Sequence, residues 1–284
     1  MDKEHEIWNV LKVLNWTKGY LAEKGVENAR LEAEWLLAAA TGLDRVGLYV
    51  NFEKPLSEAE LAACRALVAR RAKREPLQYI LGSQEFCGLD FAVTPAVLIP
   101  RHDTEVLVAE AVSRAGTARS VLDIGVGSGC IAAALARQLP AARVWGVERS
   151  AAALALAQEN AARLGVEVTL FEGSLFEPFP GERFDLIVSN PPYIPSADLD
   201  DLQPEVRDFE PRAALDGGPD GLAFYRQIVP QSTDYLAPGG WLMVEVGIGQ
   251  AEAVTAMFAG AGFGEIFTAR DPSLIDRVVG GRVA

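Results

Sequence analysis

The chain has 284 residues, 50% of them hydrophobic and 23% charged, and a formal net charge of −13 at pH 7. This length exceeds one ordinary domain and can bury a proper core, no apolar run approaches the ~20 residues that cross a bilayer, and the negative charge disfavours polyphosphate, so a soluble protein without membrane or direct nucleic-acid contact is expected. Cys64, Cys87 and Cys130 are scattered, two histidines stand without CxxC or HxxxH spacing, and Met1–Glu6 lack the layout of a signal peptide, which together point to the cytoplasm, no disulfides and no metal.

Residues 1 to about 75 carry apolar side chains at helical spacing, with stop signals at Gly25 and Gly42. Asn28 is placed to cap a helix carrying Ala29, Ala33, Leu36, Leu37 and Ala40. Ser57 and Glu60 have the spacing of a capping box, in which hydroxyl and carboxylate each satisfy a free backbone donor, so a helix is expected from about 58 to 73. Its basic residues Arg65, Arg70, Arg71, Lys73 and Arg74 read as a solvated face. About three such helices make a small all-helical N-terminal domain over 1–75.

Between 76 and 100 short apolar stretches are broken by Gly82, Gly88 and Pro95, the pattern of a linker with one or two strands, such as a hairpin. From 101 to 284 strand-like runs (120–124, 143–147, 166–171, 184–189) alternate with helical ones (131–138, 151–164), and 241–246, 265–269 and 277–283 supply the last strands. This alternation predicts an α/β domain built on a doubly wound, mostly parallel sheet of Rossmann-like type.

The strand Val121-Leu122-Asp123-Ile124 runs into Gly125-Val126-Gly127-Ser128-Gly129 and then a helix. Glycines there let backbone and ligand approach closely, and the helix N-terminus offers free N–H groups. The next strand ends in Glu148, where a carboxylate can take both hydroxyls of a ribose. A dinucleotide fingerprint wants glycine or alanine at position 130, where Cys130 stands, and no GK[ST] follows for a phosphate loop. The D-x-G-x-G-x-G spacing instead resembles the first motif of class I methyltransferases, which implies S-adenosylmethionine as cofactor.

The strand 184–189 leads into Asn190-Pro191-Pro192-Tyr193. Two prolines fix two φ angles and remove two donors, leaving a stiff chain whose carbonyls are free. The Asn190 side-chain oxygen and the Pro191 carbonyl can each accept one hydrogen of a planar NH2 group, with Tyr193 covering its face. Such a grip suits methyl transfer to nitrogen, which depends on alignment and on acceptors that stabilise the developing positive charge. A nucleic-acid adenine, a protein amide, or a non-catalytic module that merely binds the cofactor all remain open on these residues.

Longer stretches bear on that choice. Residues 76–82 (PLQYILG), 98–105 (LIPRHDTE), 208–221 (DFEPRAALDGGPDG), 238–241 (PGGW), 245–247 (EVG) and 30–37 (RLEAEWLL) resemble the PrmC/HemK family of release factor glutamine methyltransferases over nearly the whole chain. The resemblance implies a class I methyltransferase fold acting on the glutamine of the GGQ loop in class 1 release factors, with a ribosomal-protein glutamine as the neighbouring alternative. It implies that Asp123, Gly125, Val126, Gly127, Ser128, Gly129, Glu148, Ser174, Leu175 and Asn190 hold the cofactor. Asn190, Pro191, Pro192 and Tyr193 then hold the glutamine, with Asn190, Pro191 and Tyr193 as the catalytic set. The helical domain would contact the release factor, and a monomer is expected.

Four positions depart from the family's pattern. Glu172-Gly173-Ser174-Leu175 offers a hydroxyl where an acidic adenine contact is usual, His102 replaces a proline and reads as solvent-facing, and Glu148 stands for the commoner aspartate. Residues 272–277 lack the glycine expected before the last strand. Cys130 reads as packing, and Glu105 as either a brace for the cofactor loop or a helix-start charge.

Overall fold

The computed structural model describes residues 7–284, so the reading of Met1–Glu6 lies outside the described residues. The chain forms two compact units, one comprising residues up to Gly82 together with 204–209, the other 83–203 and 210–284. The helical unit thus reaches past the expected boundary at 75 and recruits a short segment from far along the chain.

The helical unit contains α1 (Val10–Glu23), α2 (Ala29–Thr41), α3 (Arg45–Val50), α4 (Glu58–Arg71) and α5 (Leu77–Leu81). Its core gathers Val13, Leu14, Leu21, Leu36, Leu37, Leu48 and Val68, each buried aliphatic side chain contributing roughly 1.5–3 kcal/mol. The Ser57–Glu60 capping box forms as expected, and α4 ends at Arg71, two residues early. Asn28 does stand before α2, but its ψ of 39° takes it away from the extended backbone of a capping residue and its side chain makes no cap bond. Gly42 closes α2 at φ 68°.

The basic face of α4 is not simply solvated. Arg71 is buried and pairs with Glu32 on α2 and with Glu205, while Arg74 binds the other Glu205 oxygen at 2.7 Å. These carboxylates, 39 and 134 residues from Arg71, turn part of the basic run into internal ion pairs that fasten segment 204–209 within this unit.

The second unit opens with the hairpin β1 (Ser83–Phe86) and β2 (Leu89–Ala92), with Phe86 and Phe91 buried edge-to-face. After α6 (Glu105–Ala115) come β3 (Ser120–Ile124), α7 (Cys130–Gln138), β4 (Arg143–Glu148), α8 (Ala151–Leu164), β5 (Val168–Glu172) and β6 (Phe184–Ser189). The chain then makes the one-turn α9 (Pro204–Arg207) and continues through α10 (Tyr225–Tyr235), β7 (Leu236–Glu245), α11 (Ala251–Gly260), β8 (Gly264–Arg270) and β9 (Asp276–Arg282).

The sheet order is β5-β4-β3-β6-β7-β9-β8, parallel except that β9 runs against β7 and β8. Period-two alternation sends Val121, Leu186, Val188 and Met243 into one core cluster, with Leu107 of α6 and Leu135 of α7. Leu122, Ile187, Leu242 and Val244 enter the other, with Ile228 of α10 and Val254 of α11. In the segment before β9 that lacks the expected glycine, Leu274 stands at φ 64°, a left-handed conformation costing a branched side chain ~1–2 kcal/mol. The strand order reverses at β3, between β4 and β6, and that switch point opens the crevice in which open α/β sheets bind ligands.

Candidate active site

The Gly125–Gly129 loop leaves β3 and feeds α7, with Gly125, Gly127 and Gly129 at φ 77°, 56° and 85°. The N–H groups of Gly125 and Val126 donate to the Val147 carbonyl at 2.9 and 3.2 Å, which lays the loop across the end of β4. Gly146 permits this, since a Cβ there would come within 2.4 Å of Val126. Glu148 is held at the end of β4 with one carboxylate oxygen accepting from Gly127 N–H (3.0 Å) and the other from Ser150 N–H (2.9 Å). Each oxygen keeps a lone pair for a further donor.

A cavity of about 190 Å³ lies over these elements. It is lined by Gly125, Val126, Gly127, Ser128, Glu148 and, from the loop after β5, Ser174 and Leu175. Asn190, Pro191 and Pro192 line the same cavity, with Thr104, Phe224 and Ile228. A side chain at Gly125 or Gly127 would meet no atom and would project into open space, so the loop is a cradle that glycine keeps vacant. That cradle, the ribose-ready carboxylate and the apolar wall fit a nucleoside with a small polar tail such as S-adenosylmethionine.

Three residues of the expected site do not line the cavity. Asp123 is fully buried beneath the loop, where Oδ2 accepts from Ala132 N–H at 3.1 Å and Oδ1 has no partner. Burial, with a smaller contribution from the charge of Glu148, pushes its carboxyl up to about 7. A Cβ at Gly129 would stand 3.3 Å from the Ala157 side chain of α8, so the glycine serves the helix contact. Tyr193 is tied to β7: its hydroxyl donates to Glu245 Oε1 at 3.4 Å, and burial followed by the Glu245 charge raises its pKa.

The strand-end motif is held from several directions. Ser189 donates to the Ile124 carbonyl at 2.8 Å, tying β6 to β3, and Asn190 Nδ2 donates to Thr104 Oγ1 at 3.2 Å. Ile194 exchanges hydrogen bonds with Leu215 and Gly217, and Gln250 Nε2 donates to the Tyr193 carbonyl at 2.8 Å. Gly217 and Gly221 lie flat against the Tyr193 backbone, where a Cβ would come within 2.7 and 2.2 Å. The 208–221 stretch therefore clamps the NPPY backbone. Glu210, buried and paired with Arg101, anchors the turn that brings Pro211 and Ala213 to the cavity wall.

Thr104, Gln250, Glu210 and Glu245 have no signature of their own in composition or spacing; only their presence in or beside the resembling stretches marks them. Glu105 begins α6 and accepts from Cys87 N–H at 3.0 Å, so it braces the hairpin turn and not the cofactor loop. His102 is exposed. Cys130 is packed in the core, where burial pushes its thiol up to about 12.

Residues 12–82 match the PrmC N-terminal domain, and residues 102–202 match the methyltransferase small domain. A release factor glutamine methyltransferase from Geobacter sulfurreducens is 74% identical over 283 residues, covering 100% of both chains. The chain belongs to the release factor glutamine methyltransferase family. Another member, from Moorella thermoacetica, is 50% identical over 82% of this chain and 84% of its own. The 16S rRNA N2 G1207 methyltransferase of T. Thermophilus, solved with AdoMet and guanosine, shares the fold at 20% identity and a TM-score of 0.53, over 71% of this chain and 50% of that one. Family membership makes the α/β unit a methyltransferase domain, and among the described residues no helix is long and apolar enough to cross a membrane.

Proposed function

We propose that the protein transfers a methyl group from S-adenosylmethionine to the side-chain amide nitrogen of the GGQ glutamine in class 1 peptide-chain release factors. The observation that carries this reading is that Asn190, Pro191 and Pro192 line the same cavity as the glycine cradle and Glu148. Donor and acceptor sites then share one wall-to-wall space, as a direct transfer requires.

When bound, S-adenosylmethionine supplies an electrophilic methyl on a sulfonium. Gly125, Val126, Gly127 and Ser128 would hold its amino-acid tail, Glu148 would accept from the ribose hydroxyls, and Ser174 and Leu175 would take the adenine, with the Ser174 hydroxyl in the place of the usual acidic contact. Asp123 and Gly129 act from beneath, by keeping the loop and α7 in place. On the acceptor side an amide nitrogen is a poor nucleophile, because its lone pair is delocalised into its carbonyl. Asn190 Oδ1 and the Pro191 carbonyl accept hydrogen bonds from its two N–H groups, hold it in line and stabilise the positive charge that develops on it, and the methylated nitrogen then gives up one proton to solvent. Pro192 stiffens the turn, and Tyr193, tied to Glu245 through its hydroxyl, covers the face of the amide.

The helical unit is the surface for recognising the release factor, the enzyme works as a monomer in the cytoplasm, and neither metal nor nucleic acid takes part. The test is transfer of labelled methyl from S-adenosylmethionine to a purified class 1 release factor beside the same factor with its GGQ glutamine changed to alanine. Label on the first and not on the second supports the reading. Label on neither, or equal label on both, overturns it.

A further inference from the structure

Exposed apolar side chains are scarce on the second unit. Among its described residues the large hydrophobic side chains left open are Ile248 and Leu274, 72% and 75% exposed. Scattered exposed hydrophobics are ordinary on a protein surface, but these two share one edge of the sheet. β7 ends at Glu245 and pairs antiparallel with β9, whose Val278 stands opposite, so the loop leaving β7 and the loop entering β9 lie at the same end. That end is the carboxyl edge of β6, where the Asn190-Pro191-Pro192-Tyr193 turn begins.

Both loops are joined to that turn. Beside Ile248, a Cβ at Gly247 would come within 3.0 Å of the Tyr193 ring, and Gln250 Nε2 donates to the Tyr193 carbonyl at 2.8 Å. In the other loop the buried Asp271 accepts from the N–H groups of Ser273 and Ile275 at 2.8 and 3.0 Å and from Arg277 at 2.8 Å. Arg277 also pairs at 2.8 Å with Asp103, the chain neighbour of the cavity residue Thr104. Leu274 is thus presented to solvent at φ 64° by a well-bonded loop, in a conformation whose cost no packing of its side chain offsets.

Charge bears on what these side chains meet. Residues 83–284 contain no lysine. Each arginine in the stretches 98–105, 210–221 and 271–277 around the turn is paired with a carboxylate: Arg101 with Glu210, Arg212 with Asp216, Arg277 with Asp271. The other arginine lining the cavity, Arg149, follows Glu148 on the cofactor strand. Nucleic acid gains its affinity from cations that neutralise phosphates, and the cations of these stretches are already neutralised. A protein loop can instead bury apolar surface there.

We propose that Ile248 and Leu274 form a docking rim on the catalytic unit itself, against which the protein acceptor lays apolar side chains that flank its substrate glutamine. The rim thereby selects a protein loop over a nucleic acid. This rests on the proposed glutamine reading and adds to it a contact made by residues outside the helical unit.

The experiment uses the full-length enzyme with Ile248→Ser, Leu274→Gly and both together. Leu274→Gly deletes the apolar side chain and suits φ 64°, so thermal stability should hold while docking weakens. Each substitution should raise KM for a class 1 release factor roughly tenfold, the low end of what one buried aliphatic side chain is worth, and the pair should raise it further. The kcat and the affinity for S-adenosylmethionine should stay within about twofold of wild type. Binding without turnover is read by titration calorimetry against the factor whose GGQ glutamine is changed to alanine, and it should weaken by the same factor as KM. Unchanged KM and affinity in the double variant overturn the rim, and leave the glutamine reading standing if the wild type methylates the factor. A fall in kcat alone marks a structural role for the two loops and overturns the rim as well. If the wild type methylates no glutamine but its binding to the factor weakens in the variants, the substrate reading fails and the rim stands. A wild type that neither binds nor methylates the factor, or that methylates ribosomal RNA in its place, overturns both.

Discussion

Gly217→Ala tests whether the 208–221 stretch holds the catalytic turn from behind. Gly217 is absent from the cavity wall, and its backbone is not in the left-handed region, so alanine is conformationally allowed. The new methyl would stand 2.7 Å from the Tyr193 Cα and 2.8 Å from both the Tyr193 carbonyl carbon and the Pro192 oxygen. All three are backbone atoms, so no flexible side chain can yield. Restoring an ordinary contact of 3.4 Å from 2.7 Å moves the turn by about 0.7 Å. A misplacement near 1 Å at a reacting group costs on the order of a hundredfold, so kcat should fall by tens of fold. Overpacking should also lower stability by ~1–3 kcal/mol. S-adenosylmethionine affinity should change little, because the three atoms nearest the new methyl belong to Pro192 and Tyr193 and none to the cradle or Glu148. The assay is single-turnover methyl transfer with cofactor titration calorimetry on the same preparation. A folded Gly217→Ala protein with transfer within twofold of wild type would refute the clamp.

Other substitutions separate the remaining parts. Glu148→Ala removes the carboxylate that orders the loop at Gly127 and accepts from the ribose, and should weaken cofactor binding by about 3 kcal/mol, roughly a hundredfold, in titration calorimetry. Asp123→Asn should stabilise the protein against denaturant at pH 8 by an amount on the order of a few kcal/mol. The sign follows from a folded carboxyl raised to about 7 from 3.8: between these values the folded state holds a proton that the unfolded chain has lost, so wild-type stability falls as pH rises across that window. The advantage of Asn should therefore vanish below about pH 4, and an advantage equal at pH 4 and 8 would contradict it. Arg71→Met leaves Glu32 without its buried partner and Glu205 with Arg74 alone, and should cost the helical unit about 3 kcal/mol, with faster proteolysis near 204–209.

What could be read from sequence was what is local. The capping box at Ser57 and Glu60 needs only three residues of spacing, and the cradle glycines and Glu148 belong to one strand-turn-helix-strand passage. The period-two strands followed from their own side chains. Contacts that pair distant residues left no such trace. Asn190 meets Thr104 across 86 residues, Arg71 meets Glu205 across 134, and an arginine on a helix looks the same whether its partner is water or a buried glutamate. Asn28 has the right side chain for a cap, yet tertiary placement of the α1–α2 turn gives it a backbone that cannot use it. An aromatic after NPP is suited to stacking, which is legible at Tyr193 itself, whereas the tie of its hydroxyl to the buried Glu245, 52 residues on, is not.

The central claim is that this cavity methylates a glutamine side-chain nitrogen, and tandem mass spectrometry of a class 1 release factor after reaction with the enzyme and S-adenosylmethionine tests it most directly. The account predicts a single added methyl on the amide of the GGQ glutamine, absent when Asn190→Ala replaces the wild-type enzyme. A methyl on any other atom, or an unmodified glutamine with the wild-type enzyme and its cofactor bound, would contradict it.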